Sequence, residues 1–208
     1  MRYPAILGRQ GQCLGLGMMV AGLVLAAAAA EALPIDEANP NLTTAYEALL
    51  QLPLTLDPDE ALLESGEAIT ENTISMTSLT PPSLWWQQEQ TSTSLGAPQL
   101  LNTWVAFRGS PQQPRRIDLV VNAQIWEALS YLEHYVLVNQ FGTSAKSFGY
   151  NLRVFAGRNL VGANVCDFSA YSDLETLNHN QWPDTDLIAT VPCTIVLDYL
   201  GRSNVRGR

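Results

Sequence analysis

The sequence predicts an α+β protein: a small, mainly antiparallel sheet with elements in the order ββαβββ, packed on one long helix and preceded by an acidic arm with short helices. Three observations lead there. The charge is partitioned, with ten acids and no Lys or Arg in residues 33–100, against nine acids and nine bases in residues 101–208. Two pairs of apolar runs are each joined by a glycine-bearing turn, the pattern of hairpins. Between the pairs, Ile125, Leu129, Leu132 and Val136 recur at helical spacing. Composition sets the bounds: 208 residues suit one domain with an attached segment, and 47% hydrophobic with 15% charged residues is too apolar for wholesale disorder. A net charge of −9 with 11 Lys and Arg argues against nucleic acid as a partner, because phosphate contacts need clustered cations.

Residues 1–32 read as a secretory signal peptide. Arg2 and Arg9 precede an uncharged run from Leu14 to Ala30, and small residues suited to a peptidase follow. Cleavage fits before Glu31 or before Leu33. The competing reading is a retained anchor, since 17 residues in a helix reach about 26 Å against a bilayer core of roughly 30 Å; a membrane is expected as a partner only in that case. Removal of the leader takes Cys13 with it and leaves Cys166 and Cys193, an even pair in a compartment that permits oxidation. A disulfide between them would close a loop of 26 intervening residues and stabilise by about 3 kcal/mol in the chain-entropy estimate. Two buried free thiols are the alternative.

In the arm, residues 33–100, the run Asn41 to Leu52 suits a short helix with Asn39 as its cap and Pro40 at its first position, ended by Pro53. Asp57-Pro58-Asp59-Glu60 starts a second helix, with Asp57 as cap and Gly66 as stop. Residues 67–80 are Thr/Ser-rich and read as extended. Pro81-Pro82-Ser83-Leu84-Trp85-Trp86 opens another short element, and Thr91 to Pro98 reads as a mobile loop. Such short helices bury too little to stand alone, so they must dock on the second half or stay partly mobile.

In the domain, residues 101–200, Thr103–Arg108 and Arg116–Val121 form a hairpin across the turn Gly109–Pro114. Ile117, Leu119 and Val121 share one face of the second strand, with Asp118 on the other. Asn122 caps a helix over residues 123–140 whose stripe of Ile125, Leu129, Leu132 and Val136 faces the sheet, and Gly142 to Gly149 breaks it. Residues 150–168 form a second hairpin turning at Gly157-Arg158-Asn159. Residues 170–190 read as a long acidic loop with Trp182-Pro183, followed by a last strand over 193–199. Residues 201–208, with Arg202, Arg206 and Arg208, read as a frayed basic tail.

The run Leu119 to Trp126, Tyr131-Leu-Glu133, Asn139 to Thr143 and Gly149 to Phe155, with Pro81 to Trp86 upstream, resembles an uncharacterised family of exported cyanobacterial proteins. The resemblance spans roughly residues 81–168. It implies the periplasm or the thylakoid lumen and carries no activity with it.

The familiar catalytic signatures are missing. Gly142-Thr-Ser144-Ala-Lys146 is not a nucleophile elbow, the segment from Gly157 to Gly162 lacks the middle glycine of a dinucleotide fingerprint, and Glu133-His134 is not a His-Glu-x-x-His helix. Cys166, Cys193, His134 and His179 show no ligand spacing, so neither metal nor cofactor is expected. His134 could act as a general base only with a partner from another element, for which Asp118 on the polar side of its strand is the candidate; the plainer reading is a solvated histidine. Lys146, the only lysine, reads as an exposed loop residue. Trp85 and Trp86 are consecutive and cannot both face the core, so one can be presented outward as an anchor, unless both clamp the arm onto the helix near Trp126. Arg115 and Arg116 can steer an anionic partner or pair with the acidic arm. These four residues are the candidate partner-binding set, and the expectation is an exported, non-enzymatic binding or assembly module acting on another envelope or thylakoid protein. A hydrolase-like enzyme using His134 with Asp118 is the alternative.

Overall fold

Six strands form one mixed sheet in the computed structural model, which describes residues 40–73, 82, 84–95, 97–110, 113–169 and 185–197. Their order across the sheet is their order in the chain: β1 (Ala68–Thr70), β2 (Leu101–Phe107), β3 (Arg116–Val121), β4 (Asn151–Ala156), β5 (Asn159–Cys166) and β6 (Cys193–Leu197). Neighbours run antiparallel except β3 and β4, which are parallel because a helical crossover separates them. The leader and its cleavage frames, residues 74–81, His179, Trp182-Pro183 and the tail from 201 lie outside the described residues.

The α+β class and both hairpins follow the expected local chemistry. Gly109 and Gly157 take the left-handed conformation, at φ 79° and 64°, where the two hairpins turn. The arm is more closely tied to the sheet than its composition suggests. Ile69 of β1 pairs with Ala106 at the sheet edge, and α1 (Pro40–Gln51) lays Tyr46 and Leu49 against Ala163, Val165 and Val196. The second helix, α2 (Glu60–Glu64), starts at Glu60 and not at the Asp57-Pro58 signal; Asp59 occupies its cap position without a side-chain bond. The expected loop from Thr91 is instead the second half of a helix, α3 (Trp85–Ser94). Burial explains it: Thr91 is fully enclosed, accepts from Gln87 and donates its hydroxyl to Gln140 Oε1 at 3.2 Å.

The helix expected over 123–140 is two helices, α4 (Ala123–Ala128) and α5 (Tyr131–Ser147). Asn122 caps α4, accepting from the amides of Gln124 and Ile125. Leu129 then leaves helical conformation, and Ser130 with Glu133 forms a capping box: the Glu133 carboxylate accepts from the Ser130 amide at 2.7 Å, and the Ser130 hydroxyl accepts from the Glu133 amide. This restart moves the buried face. Leu132 is 68% exposed and Val136 half-buried, while His134, Leu137, Val138, Phe141, Gly142 and Ala145 face inward. Gly142 does not end α5, because its bare Cα lets Asn164 of β5 approach; a Cβ there would collide with the Asn164 side chain.

The two sides of the sheet are closed differently. On one, α5 covers Ile117, Leu119 and Val121 of β3 with Leu152 and Val154 of β4, an apolar core joined by Trp104 and Trp126. Each large side chain buried there contributes about 1.5–3 kcal/mol. On the other, α1 and the chain after it cover Val120, Phe155 and Leu160 through Leu50 and Leu54, together with a charged pair described below.

Candidate functional site

Trp85 and Trp86 open α3 and stand outside the fold. They are 60% and 59% exposed, and their rings meet edge to face at 5.6 Å. The other described tryptophans, Trp104 and Trp126, are buried at 6% each. Neither Trp85 nor Trp86 clamps the arm onto the helix near Trp126; Leu84, one residue earlier, is the fully buried anchor of this segment. α3 is instead held to α5 by polar contacts, Thr91 to Gln140 and the Ser144 hydroxyl donating to Gln87 Oε1 at 3.1 Å. Beside Trp86 lies an open groove of about 480 Å³ lined by Glu89, Gln90, Thr93, Ser94 and Gln140.

The arginines expected to accompany the tryptophans lie elsewhere. Arg116 is buried at 4%, with its guanidinium over the Phe107 ring at 4.1 Å and its Nε 3.5 Å from Asp118. Burial lowers its pKa, partly offset by the Asp118 charge. Arg115 is half-buried over the Tyr150 ring at 4.4 Å and donates to the Phe148 carbonyl. Arg116 therefore acts within the core and does not join Trp85 and Trp86 in a common patch.

His134 is buried, not solvated. Its ring stacks on Trp126 at 4.0 Å, and Nε2 donates to the Trp126 carbonyl at 2.8 Å, which fixes the proton on that nitrogen. It lines a cleft of about 260 Å³ with Glu127, Leu129, Tyr131, Val161 and Leu197. Asp118 is not its partner. The β3–β4 register sets Asp118 opposite Arg153 on the α1 side of the sheet, where the carboxylate takes two parallel bonds, from Nε at 2.7 Å and from Nη2 at 2.6 Å. Arg153 also donates to the carbonyls of Leu49, Leu52 and Pro53 at 2.8, 2.7 and 3.2 Å. All five guanidinium hydrogens are thus used, and a cation closes the C-terminal end of α1, where the helix dipole favours it.

The pair Arg153–Asp118 is what reading the chain missed. Its signal was present: one charge of each sign sits inside an otherwise apolar strand, in Ile117-Asp118-Leu119 and Leu152-Arg153-Val154. Lys146 is likewise not a loop residue; it lies in the last turn of α5 and donates to the carbonyls of Ala189 and Val191 at 3.1 and 2.8 Å. The second carbonyl belongs to the chain that leads into β6 from α6 (Thr185–Ala189), a helical turn where the sequence suggests only loop over 170–190.

Cys166 and Cys193 are joined by a disulfide and face each other across β5 and β6, with Cα atoms 4.0 Å apart. Among the described residues no cluster of His, Cys, Asp and Glu could hold a metal ion, and no helix is long and apolar enough to cross a membrane. No family model matches the chain, and neither a curated protein nor a solved structure matches it.

Proposed function

We propose that this chain is an exported, non-enzymatic binding or assembly module acting on another envelope or thylakoid protein, with the Trp85–Trp86 face of α3 as its contact surface. The observation that carries the reading is the contrast among the tryptophans. Two adjacent indoles stand about 60% in solvent while Trp104 and Trp126 are enclosed; large rigid aromatics presented in this way are the residue type on which binding energy concentrates. In this reading the ββαβββ unit with its long helix is the scaffold, and the acidic segment presents the surface. The Cys166–Cys193 disulfide supports an oxidising compartment, and the resemblance to exported cyanobacterial proteins points to the periplasm or the thylakoid lumen. A hydrolytic role draws no support from His134, whose Nε2 is committed to a backbone carbonyl while Asp118 is committed to Arg153.

The test is affinity purification of the tagged chain from its native envelope, with wild type and the W85A/W86A double variant side by side. A stoichiometric protein partner captured by the wild type and lost in the variant is the expected result. A partner retained by the variant, or no reproducible partner at all, overturns the reading. Both indoles are exposed, so the double variant is expected to unfold within about 0.5 kcal/mol of wild type.

A further inference from the structure

We propose that the partner reaches this face with a cationic segment: a Lys or Arg side chain seated on the Trp86 indole with its charge beside Glu89. The inference rests on the protein-binding role proposed above and names the chemistry of the partner. Glu89 lies three residues beyond Trp86 and four beyond Trp85, the two spacings that put side chains next to each other on a helix. It is the one charged residue in the described lining of the groove, the rest being Trp86, Gln90, Thr93, Ser94 and Gln140. An aromatic face beside a carboxylate, flanked by amide and hydroxyl acceptors, matches an ammonium or guanidinium group and disfavours an anion. It also fits poorly with a purely apolar partner, which would cover the Glu89 carboxylate without supplying a counter-charge.

The surroundings point the same way. Residues 33–100 hold no Lys or Arg. Their described carboxylates, Glu47, Asp57, Asp59, Glu60, Glu64, Glu67, Glu71 and Glu89, are all exposed, and none forms an ion pair. Among the described arginines, Arg116 and Arg153 are turned to Asp118 and not to these carboxylates. The field around α3 therefore attracts cations from a distance, and the Trp86–Glu89 pair would decide where one of them settles.

Two properties separate a seated cation from diffuse attraction, and both can be read with the purified full-length chain. The probes are a Lys-rich octapeptide, its Glu-rich counterpart and an uncharged Gly/Ser peptide, each followed by the shift of the α3 backbone amide resonances, which W85A/W86A retains, and, where the indoles are present, of the Trp85 and Trp86 indole N–H resonances. The expected result is that the basic peptide alone shifts them. Its binding should weaken at least about tenfold when ionic strength rises from roughly 0.05 to 0.5 M, which brings the screening length to a few ångström. W85A/W86A should remove the binding, and Glu89→Gln should weaken it several-fold, while Glu64→Gln, an identical loss of charge on α2, leaves it unchanged. Equal effects of Glu89→Gln and Glu64→Gln, binding indifferent to the Trp pair, or no preference for the basic peptide overturns the proposal. The proposed protein-binding role fails separately: a partner captured from the envelope through Trp85 and Trp86, yet insensitive to salt and to Glu89→Gln, leaves that role standing and removes the cation.

Discussion

On the side of the sheet that α5 covers, the contacts are apolar, and even the buried His134 is stacked on an indole and bonded to a main-chain carbonyl. On the side that α1 covers, the apolar clusters are smaller, and the fully buried Arg153–Asp118 pair ties three separate segments together. The first side owes its stability to area removed from water, which tolerates rearrangement within a fixed volume. The second depends on named donors meeting named acceptors, where losing one partner strands the others in a dry interior. The C-terminal end of α1 and the chain just after it are held to the domain through that second kind of contact.

The largest expected effect lies there. Arg153→Met leaves the Asp118 carboxylate buried beside Arg116 alone and removes the donor to the Leu49, Leu52 and Pro53 carbonyls. The expected cost is about 3–5 kcal/mol by chemical denaturation, with early loss of hydrogen-exchange protection in α1. Adding Asp118→Leu should recover only part of that loss, since it removes the unpaired carboxylate but leaves the buried Arg116 without its counter-charge and the three carbonyls without a donor. A single-variant cost below about 1 kcal/mol would mean the two sides do not differ as described.

The α5 side offers a milder break. Gly142→Ala would ordinarily favour a helix by up to about 1 kcal/mol, but here the added methyl meets the Cβ, Cγ and Nδ2 atoms of Asn164. Overpacking of this kind costs about 1–3 kcal/mol, so the net change should be destabilising. Asn164→Gly in the same chain, which removes all three atoms, should then relieve the clash, and a double-mutant cycle measures the coupling directly. If Gly142→Ala alone stabilises, the close approach of α5 to β5 is not a constraint.

What was legible in the sequence divides along the same line. β3, β4 and β5 announce themselves through apolar runs and glycine turns, and the disulfide through the even pair of cysteines left once Cys13 is assigned to the expected leader, because these signals are local or compositional. The phase of α5 was missed although Ser130-x-x-Glu133 spells its start; one continuous stripe from Ile125 outweighed a two-residue interruption. The Arg153 pairing was less accessible still. It depends on the parallel register that sets Asp118 opposite Arg153 and on a main-chain end from a hundred residues earlier, neither of which periodicity reports. β1, three residues long, leaves too short a pattern to distinguish from an extended linker. For the candidate site, the sequence singled out Trp85 and Trp86, but their joint exposure depends on Leu84 and Thr91 taking the inward positions of α3.

The smallest effect is expected at the junction that sets which residues face the sheet. Glu133 lies at the surface, and its bonds from the Ser130 hydroxyl and amide hold its carboxyl below the ordinary carboxylate value, with the nearby His134 adding a little. A carboxyl depressed in the folded state stabilises fully above its unfolded pKa and loses that contribution as pH falls through the folded one. Stability should therefore decline on the acid side of the ordinary carboxylate range and not near neutrality. Ser130→Ala removes the cap and the larger cause of the depression, leaving the bond from the residue-130 amide; it should cost about 1 kcal/mol near pH 7, and the difference from wild type should shrink as pH drops through the Glu133 transition. Denaturation midpoints of the two proteins across pH 2–7 measure this. Parallel curves would show that the capping box places α5 without Glu133 ionisation contributing, and the inward turn of His134 and Leu137 would then rest on packing alone.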